Sequence, residues 1–202
     1  AFRLPESLLM HYGKPVMKKK HLNQVRIIGG THRGRKLAVA DAEGLRPTPD
    51  RVREQVFNWL GQDLSGKNVL DLFAGSGALG LEAASRHAKS VVLVEQNRAT
   101  ARTLAQAVQT LGLAQTEIIT TDALAYLRTA VAAFDVVFLD PPFAWQQWPL
   151  LFDLLPGCLK DGAQIYIEAG TLPEMPAWLA THRQGKAGMS RFELRVYAQV
   201  AE

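Results

Sequence analysis

One short segment holds residue types that could do chemistry together. It is Asp140-Pro141-Pro142-Phe143, at the end of the apolar run "FDVVFL". An apolar run closed by proline reads as a buried strand passing into a loop. At the mouth of that strand stand a carboxylate, two groups that donate no backbone hydrogen bond, and an aromatic ring. A carboxylate beside a proline-fixed carbonyl can accept both N–H bonds of a planar amine. A ring beside them offers a stacking face for a base. Core packing is the plain alternative for Phe143, and a simple strand exit is the plain alternative for the tetrapeptide. Three more acids, Asp71, Glu95 and Asp122, close the runs "NVLD", "SVVLVE" and "TEIITTD".

These groups need elements to position them. Strand and helix patterns alternate from Asn68 onward. "NVLDLF" leads through a glycine-rich turn to the helix "GLEAASRHA". "SVVLVEQ" leads to a helix around "RATARTLAQAVQTLG", ended by Gly112. "TEIITTD" precedes a helix near "ALAYLRTAV", and "FDVVFLD" precedes one from about Trp145 to Leu155. "AQIYIEA" is a fifth strand. "RFELRVYAQV" alternates as a half-buried strand does, and with "RQGKAGM" it reads as a closing antiparallel hairpin. Upstream, Pro49 and Asp50 suit a helix start, and Val52, Val56, Phe57 and Leu60 recur at helical spacing. Such alternation predicts a doubly wound, mainly parallel α/β sheet, with ligands at the carboxyl ends of its strands. All four acids fall at such ends.

"DLFAGSGALG" holds Gly75, Gly77 and Gly80 between a strand and a helix, and Glu95 lies 20 residues past Gly75. That is the dinucleotide fingerprint, shared by the nucleoside of S-adenosylmethionine. Asp71 discriminates between them. A carboxylate there would repel a pyrophosphate but would suit the ammonium of a methionine moiety. Its plain alternative is to cap the nearby loop. With a methyl donor in that pocket, the opening tetrapeptide gains a purpose. An exocyclic amine on a nucleobase is a poor nucleophile, because its lone pair is delocalised. Asp140 and the Pro141 carbonyl could draw it toward tetrahedral geometry, and Asp140 could stabilise the developing positive charge.

The chain has 202 residues, 48% apolar and 21% charged, an ordinary globular composition for one domain. No run approaches the roughly 18 apolar residues of a membrane helix, so no membrane association is expected. The single cysteine, Cys158, excludes an internal disulfide and fits a reducing cytoplasm. The five histidines show no metal-ligand spacing, so no metal is expected. The net charge of +4 is uneven: eight Lys or Arg and no acid lie between Ser7 and Ala40, and the rest carries −4. Such a basic arm suits a polyanion. "VRIIGGTHRGRKL" reads as a hairpin presenting Arg33, Arg35 and Lys36.

Taken together, these segments resemble the RsmD family of small-subunit rRNA guanine-N2 methyltransferases, within the class I S-adenosylmethionine-dependent methyltransferases. The resemblance runs from about Gln24 to Tyr197. It is carried by "RIIGGTHRGRKL", "LRPTPDRVREQVFNWL", "VLDLFAGSGALGLEA", "VEQN", "DPPF" and "GMSRFELRVY". It implies a Rossmann-like sheet of seven strands, mostly parallel with an antiparallel C-terminal hairpin, plus an N-terminal β-hairpin. It implies S-adenosylmethionine as methyl donor, with Asp71, Ala74, Gly75 and Gly77 at the methionine part, Glu95 at the ribose, and Asp122 and Ala123 at the adenine. It implies that Asp140, Pro141, Pro142 and Phe143 hold the guanine amine, and that Arg46, Thr48, Arg51 and Arg53 line the cleft. The implied partner is 16S rRNA within an assembled or assembling small subunit, met in the cytoplasm by a monomer. Residues 1–16 read as a tag or extension, 17–45 as the basic arm and hairpin, and 46–202 as the methyltransferase domain.

Other classes fit less well. A DNA adenine-N6 methyltransferase needs a target-recognition domain for which this length leaves no room. A protein glutamine methyltransferase more often carries Asn in place of Asp140. An NAD-dependent oxidoreductase shares the glycine turn, but no hydride-transfer acid/base pair stands here. A non-catalytic rRNA-binding protein explains the arm but not Asp140 to Phe143.

Overall fold

The computed structural model describes residues 24–38, 48–131 and 133–198. The Lys18–Lys20 run, Arg46 and the segment 1–16 lie outside them. The expected first strand is β3 (Asn68–Asp71), and β4 (Ser90–Val94), β5 (Thr116–Ile119), β6 (Phe134–Leu139) and β7 (Leu159–Ala169) follow it. All five run parallel, and β8 (Leu179–Ala187) and β9 (Ser190–Tyr197) close the sheet as an antiparallel pair, in the order β5-β4-β3-β6-β7-β9-β8. A separate hairpin pairs β1 (Gln24–Arg26) with β2 (Lys36–Ala38). The α/β architecture and both hairpins therefore stand as the sequence predicts.

Alternate residues of each buried strand face opposite sides. Val69, Val91, Val136, Phe138 and Tyr166 meet α1 (Asp50–Trp59), α2 (Gly80–Ser85) and α3 (Arg98–Leu111). Leu70, Val137, Leu139, Ile165 and Ile167 meet α4 (Ala123–Leu127) and α5 (Trp148–Leu154). α3 has a local reason both to start and to stop. Asn97 caps α3 by accepting from the backbone N–H of Ala99 and Thr100, and Gly112 ends it at φ 66°. Val52, Val56 and Phe57 give α1 its buried stripe. Cys158 is packed, its thiol donating to the Leu155 carbonyl at 3.2 Å, and burial pushes its pKa up to about 12.

Two elements differ from expectation. β7 begins at Leu159 rather than near Ala163, because a register shift between Phe134 and Val136 lets a bulge bearing Gly162 (φ 70°) join it to β6. β8 begins at Leu179, upstream of the "RQGKAGM" segment expected to lead into the last strand. It is an edge strand, exposed over most of its length, so it lacks the apolar alternation that would announce it.

The hairpin is not a free arm. Glu82 of α2 is fully buried and accepts from the Ile28 backbone N–H at 2.9 Å, the Arg53 guanidinium at 3.3 Å and Arg86 Nε at 2.8 Å. Ser85 Oγ donates to the Gly29 carbonyl and accepts from the His32 backbone N–H. A β-carbon at Gly29 would collide with the Arg86 guanidinium, and one at Gly30 (φ 72°) with the Ser85 carbonyl. The paired glycines of "RIIGG" therefore seat the hairpin loop on α2.

Candidate active site

The carboxyl ends of β3, β4 and β6 converge on one edge of the sheet. Gly75 and Gly77 turn the chain after β3 with φ of 49° and 76°, a conformation that disfavours a β-carbon. The Gly77 N–H donates to the Ala74 carbonyl at 2.7 Å, which closes the turn. Gly80 packs against Leu93 too closely for any side chain. Asp71 lies beneath the turn, 2% exposed, and accepts from the Gly80 N–H at 2.9 Å. It thus does cap the loop. Burial pushes its pKa up to about 7, partly offset by backbone hydrogen bonds from Gly80 and Phe73.

Glu95 follows β4 and faces the same turn. Its two oxygens accept from the Gly75 N–H at 2.9 Å and the Asn97 N–H at 2.7 Å. Each oxygen keeps a lone pair for a further donor. Asp122 caps α4, one oxygen accepting from Leu124 and Ala125, and Ala123 is buried behind it. A nucleoside with vicinal hydroxyls and a cationic amino-acid tail would find acceptors here: a carboxylate beside an open backbone turn, with a second, buried acid below.

Asp140 follows β6 and is half-buried. Its Oδ2 accepts from the Thr48 hydroxyl at 3.0 Å. Burial and then the neighbouring Glu168 carboxylate push its pKa well above the usual carboxylate range, against the Thr48 hydrogen bond, which lowers it. Pro141 is buried and Pro142 exposed. The Trp145 N–H donates to the Pro142 carbonyl at 2.8 Å, a tight turn that leaves Phe143 on the outside. Phe143 is 55% exposed, so it is not a core residue, and its ring stands next to Gly170. Trp145 meets Phe73 edge-on, with ring centroids 5.2 Å apart. That contact ties the loop after β6 to the loop after β3.

The basic residues divide sharply. Arg33, Arg35, Lys36 and Arg51 are exposed. Arg53 is not a cleft residue, which corrects the sequence expectation: it is 1% exposed. Its guanidinium donates to the carbonyls of Thr48, Ala78 and Arg26 and to the carboxylates of Asp50 and Glu82. All its donors serve the fold, because they join hairpin, α1, α2 and the Thr48 segment. Thr48 is 6% exposed and serves Asp140. Two residues escaped the sequence reading. Glu168, 5% exposed, accepts from the Tyr166 hydroxyl at 2.7 Å beside Asp140. The signal available was an acid ending a fifth strand, "AQIYIEA", as the other acids end theirs.

Strand order, glycine turn and acid after β4 define a class I methyltransferase fold. In keeping with that, an RNA methyltransferase from Salinibacter ruber, solved in complex with S-adenosyl-L-homocysteine, superposes with a TM-score of 0.59 at 19% identity over 78% of this chain and 97% of its own. Residues 25–196 match the family described as "Conserved hypothetical protein 95". The ribosomal RNA small subunit methyltransferase D of Escherichia coli K12 is 43% identical over 176 residues, 85% of this chain and 89% of its own. The enzyme of the same name from Haemophilus influenzae is 44% identical over 161 residues, 77% of this chain and 83% of its own. The solved structure of Escherichia coli yhhF superposes with a TM-score of 0.78 at 40% identity, covering 87% of this chain and 99% of its own. This chain belongs to that family, the RsmD methyltransferases. Among the described residues no group of acids, histidines and cysteines could hold a metal, and no helix is long and apolar enough to cross a membrane.

Proposed function

We propose that the protein transfers a methyl group from S-adenosylmethionine to the exocyclic N2 of one guanine in small-subunit rRNA, acting as a cytoplasmic monomer on an assembled or assembling subunit. The observation that carries this reading is the exposed Phe143 ring beside the Thr48-anchored Asp140, at the sheet edge that also bears Glu95 and the glycine turn. A core residue would hide that ring, and a flipped base would stack on it.

Asp71, Ala74, Gly75 and Gly77 would hold the methionine part of the cofactor, Glu95 the ribose, and Asp122 and Ala123 the adenine. The cofactor supplies an electrophilic methyl group on a sulfonium. Everything else falls to the protein. Phe143 stacks the base, and the Pro141 carbonyl and Asp140 accept the two N–H bonds of the amine. The nitrogen gains the methyl group and loses one proton. Asp140 receives that proton, since burial and Glu168 make its carboxylate more basic than usual. Arg33, Arg35, Lys36 and Arg51, with Arg46, supply phosphate contacts.

The test is to supply S-adenosylmethionine labelled in the methyl group to small-subunit particles, free 16S rRNA, duplex DNA and protein. Label should enter the RNA of the particle and be recovered as N2-methylguanine. Label in DNA adenine or in protein would refute the assignment.

A further inference from the structure

The molecule carries a second acid at the acceptor end of the sheet, and its position suits one base over others. β6 and β7 pair in parallel, with Phe138 opposite Tyr166 and Leu139 opposite Ile167. Asp140 and Glu168 therefore follow on neighbouring strand ends and on the same face. One oxygen of each is fixed by the protein: Thr48 holds Asp140 Oδ2 at 3.0 Å, and Tyr166 holds Glu168 Oε2 at 2.7 Å. Among the described residues no donor occupies the second oxygen of either. Gly170, two residues past Glu168, stands beside the Phe143 ring, so close that a β-carbon there would touch it at 3.9 Å. Phe143 and the two carboxylates therefore gather where β6 and β7 end, and a base stacked on that ring would present its edge toward them.

The edges of the purines differ there. Guanine presents two neighbouring donors, N2–H and N1–H. Adenine presents an amine beside N1, which is an acceptor, and 2-aminopurine keeps the 2-amine of guanine but has no N1–H. Two ionised carboxylates on neighbouring strand ends only accept, and of these bases guanine alone offers both a donor amine and a donor N1–H. We propose that Glu168 is the specificity-determining residue of this site: its free oxygen accepts the guanine N1–H while Asp140 accepts from N2. Tyr166 is a positioning residue that fixes which oxygen is free. This rests on the guanine-N2 reading above and extends it, since Asp140 alone holds an amine and does not identify the base that bears it. A carboxylate facing the N1 lone pair of a wrong base stays unpaired and repelled, the arrangement that gives large discrimination.

The experiment replaces the guanine that accepts label with 2-aminopurine in reconstituted small subunits. Single-turnover rates on both bases are then compared for the wild type, Glu168→Gln and Glu168→Ala. A ratio of rates within one variant cancels any difference in folded fraction. The wild type should favour guanine on the order of 10²-fold or more. Glu168→Ala should collapse the ratio to about 10-fold or less, because the penalty on the wrong base is gone. Glu168→Gln, whose amide can turn its N–H toward N1, should raise the absolute rate on 2-aminopurine. Equal wild-type rates on the two bases, or a ratio unchanged in both variants, would overturn the proposal. So would loss of both activities in Glu168→Gln with cofactor binding intact, which would make Glu168 part of amine handling instead. Failure of the wild type to methylate guanine at all would be a different result, and would remove the underlying function.

Discussion

Thr48 donates its hydroxyl to Asp140 at 3.0 Å, across 92 residues of sequence. The donor comes from the segment before α1 and the acceptor from the end of β6. This bond occupies Asp140 Oδ2 and leaves Oδ1 for the substrate amine that we propose it holds. It also opposes the other influences on that carboxyl. Burial raises the Asp140 pKa most, then Glu168, with a smaller push from Asp71, and Thr48 pulls it down. Tyr166 is the remaining titratable group there, and its own proton is bonded to Glu168.

Activity should need ionised Asp140, so the rate should fall as pH falls through its raised pKa. The acid limb of the single-turnover profile should therefore lie above the usual carboxylate range. Thr48→Val keeps the shape, loses the hydroxyl, and should move that limb to higher pH. It should also slow transfer by about 10-fold at the plateau, the usual worth of a hydrogen bond to a charged group. Glu168→Gln should move the limb to lower pH. Cofactor affinity by calorimetry should be unchanged in both. Limbs that coincide in all three proteins would deny Asp140 the role of the titrating group.

Arg51 and Arg53 sit two residues apart on α1 and should behave as opposites. Arg53→Ala removes a buried charge that donates to five acceptors. It should cost roughly 3 kcal/mol, a fall of about 6–12 °C in Tm for a chain of this size. Arg51→Ala should leave stability within about 0.5 kcal/mol while weakening RNA binding. Urea unfolding and RNA binding, measured on the two variants side by side, check both halves. A stable Arg53→Ala with weakened RNA binding would restore the cleft role the sequence suggested.

That pair also marks how far the sequence could be read. The sheet was legible because strand and helix signals are local: apolar runs closed by turn residues, and a stripe such as Val52, Val56 and Phe57. The glycine turn and the acids after each strand were legible for the same reason. Arg53 was not, because an arginine two residues from an exposed one has no local mark of burial. Its burial depends on Glu82 and on carbonyls 25 and 27 residues away. "RIIGG" was read as a platform for basic residues. Its glycines answer instead to Ser85 and Arg86, contacts more than 50 residues distant in sequence. Glu168 carries the same local signal as the other acids, a carboxylate near the end of an apolar strand, but its partnership with Asp140 depends on the pairing of β6 with β7.

Arg33, Arg35 and Lys36 project from the hairpin and make no hydrogen bond through their side chains among the described residues. Changing all three to Ala should leave Tm unchanged and reduce RNA affinity. If each meets one phosphate, the slope of log affinity against log salt should become shallower by roughly 2–3. Deleting the hairpin should do something else, because it strips Glu82 of the Ile28 N–H and uncovers Arg86. That truncation should lose stability as well as RNA binding, so the triple substitution is the informative variant. An unchanged salt slope in it would place the phosphate contacts elsewhere.

With the methionine part of the cofactor placed as we propose, Asp71 would link cofactor binding to pH. Its carboxyl is 2% exposed, and its pKa is raised from 3.8 to about 7. The sign for stability follows directly. The folded protein holds this proton more tightly than the unfolded chain, so the stabilisation is full below about pH 4 and is lost as pH rises through about 7. A cationic ammonium near the carboxylate reverses that preference, because it favours the ionised form. S-adenosylmethionine affinity should then rise with pH between about 6 and 8, with close to one proton released per molecule bound near pH 6. Calorimetry in buffers of different ionisation enthalpy measures that release. Asp71→Asn retains an acceptor for the Gly80 N–H but cannot ionise. It should abolish the proton release and weaken cofactor binding, while gaining stability relative to wild type as pH rises from about 4 to about 7. Proton release that persists in Asp71→Asn would assign the titration to another group and leave Asp71 only its loop.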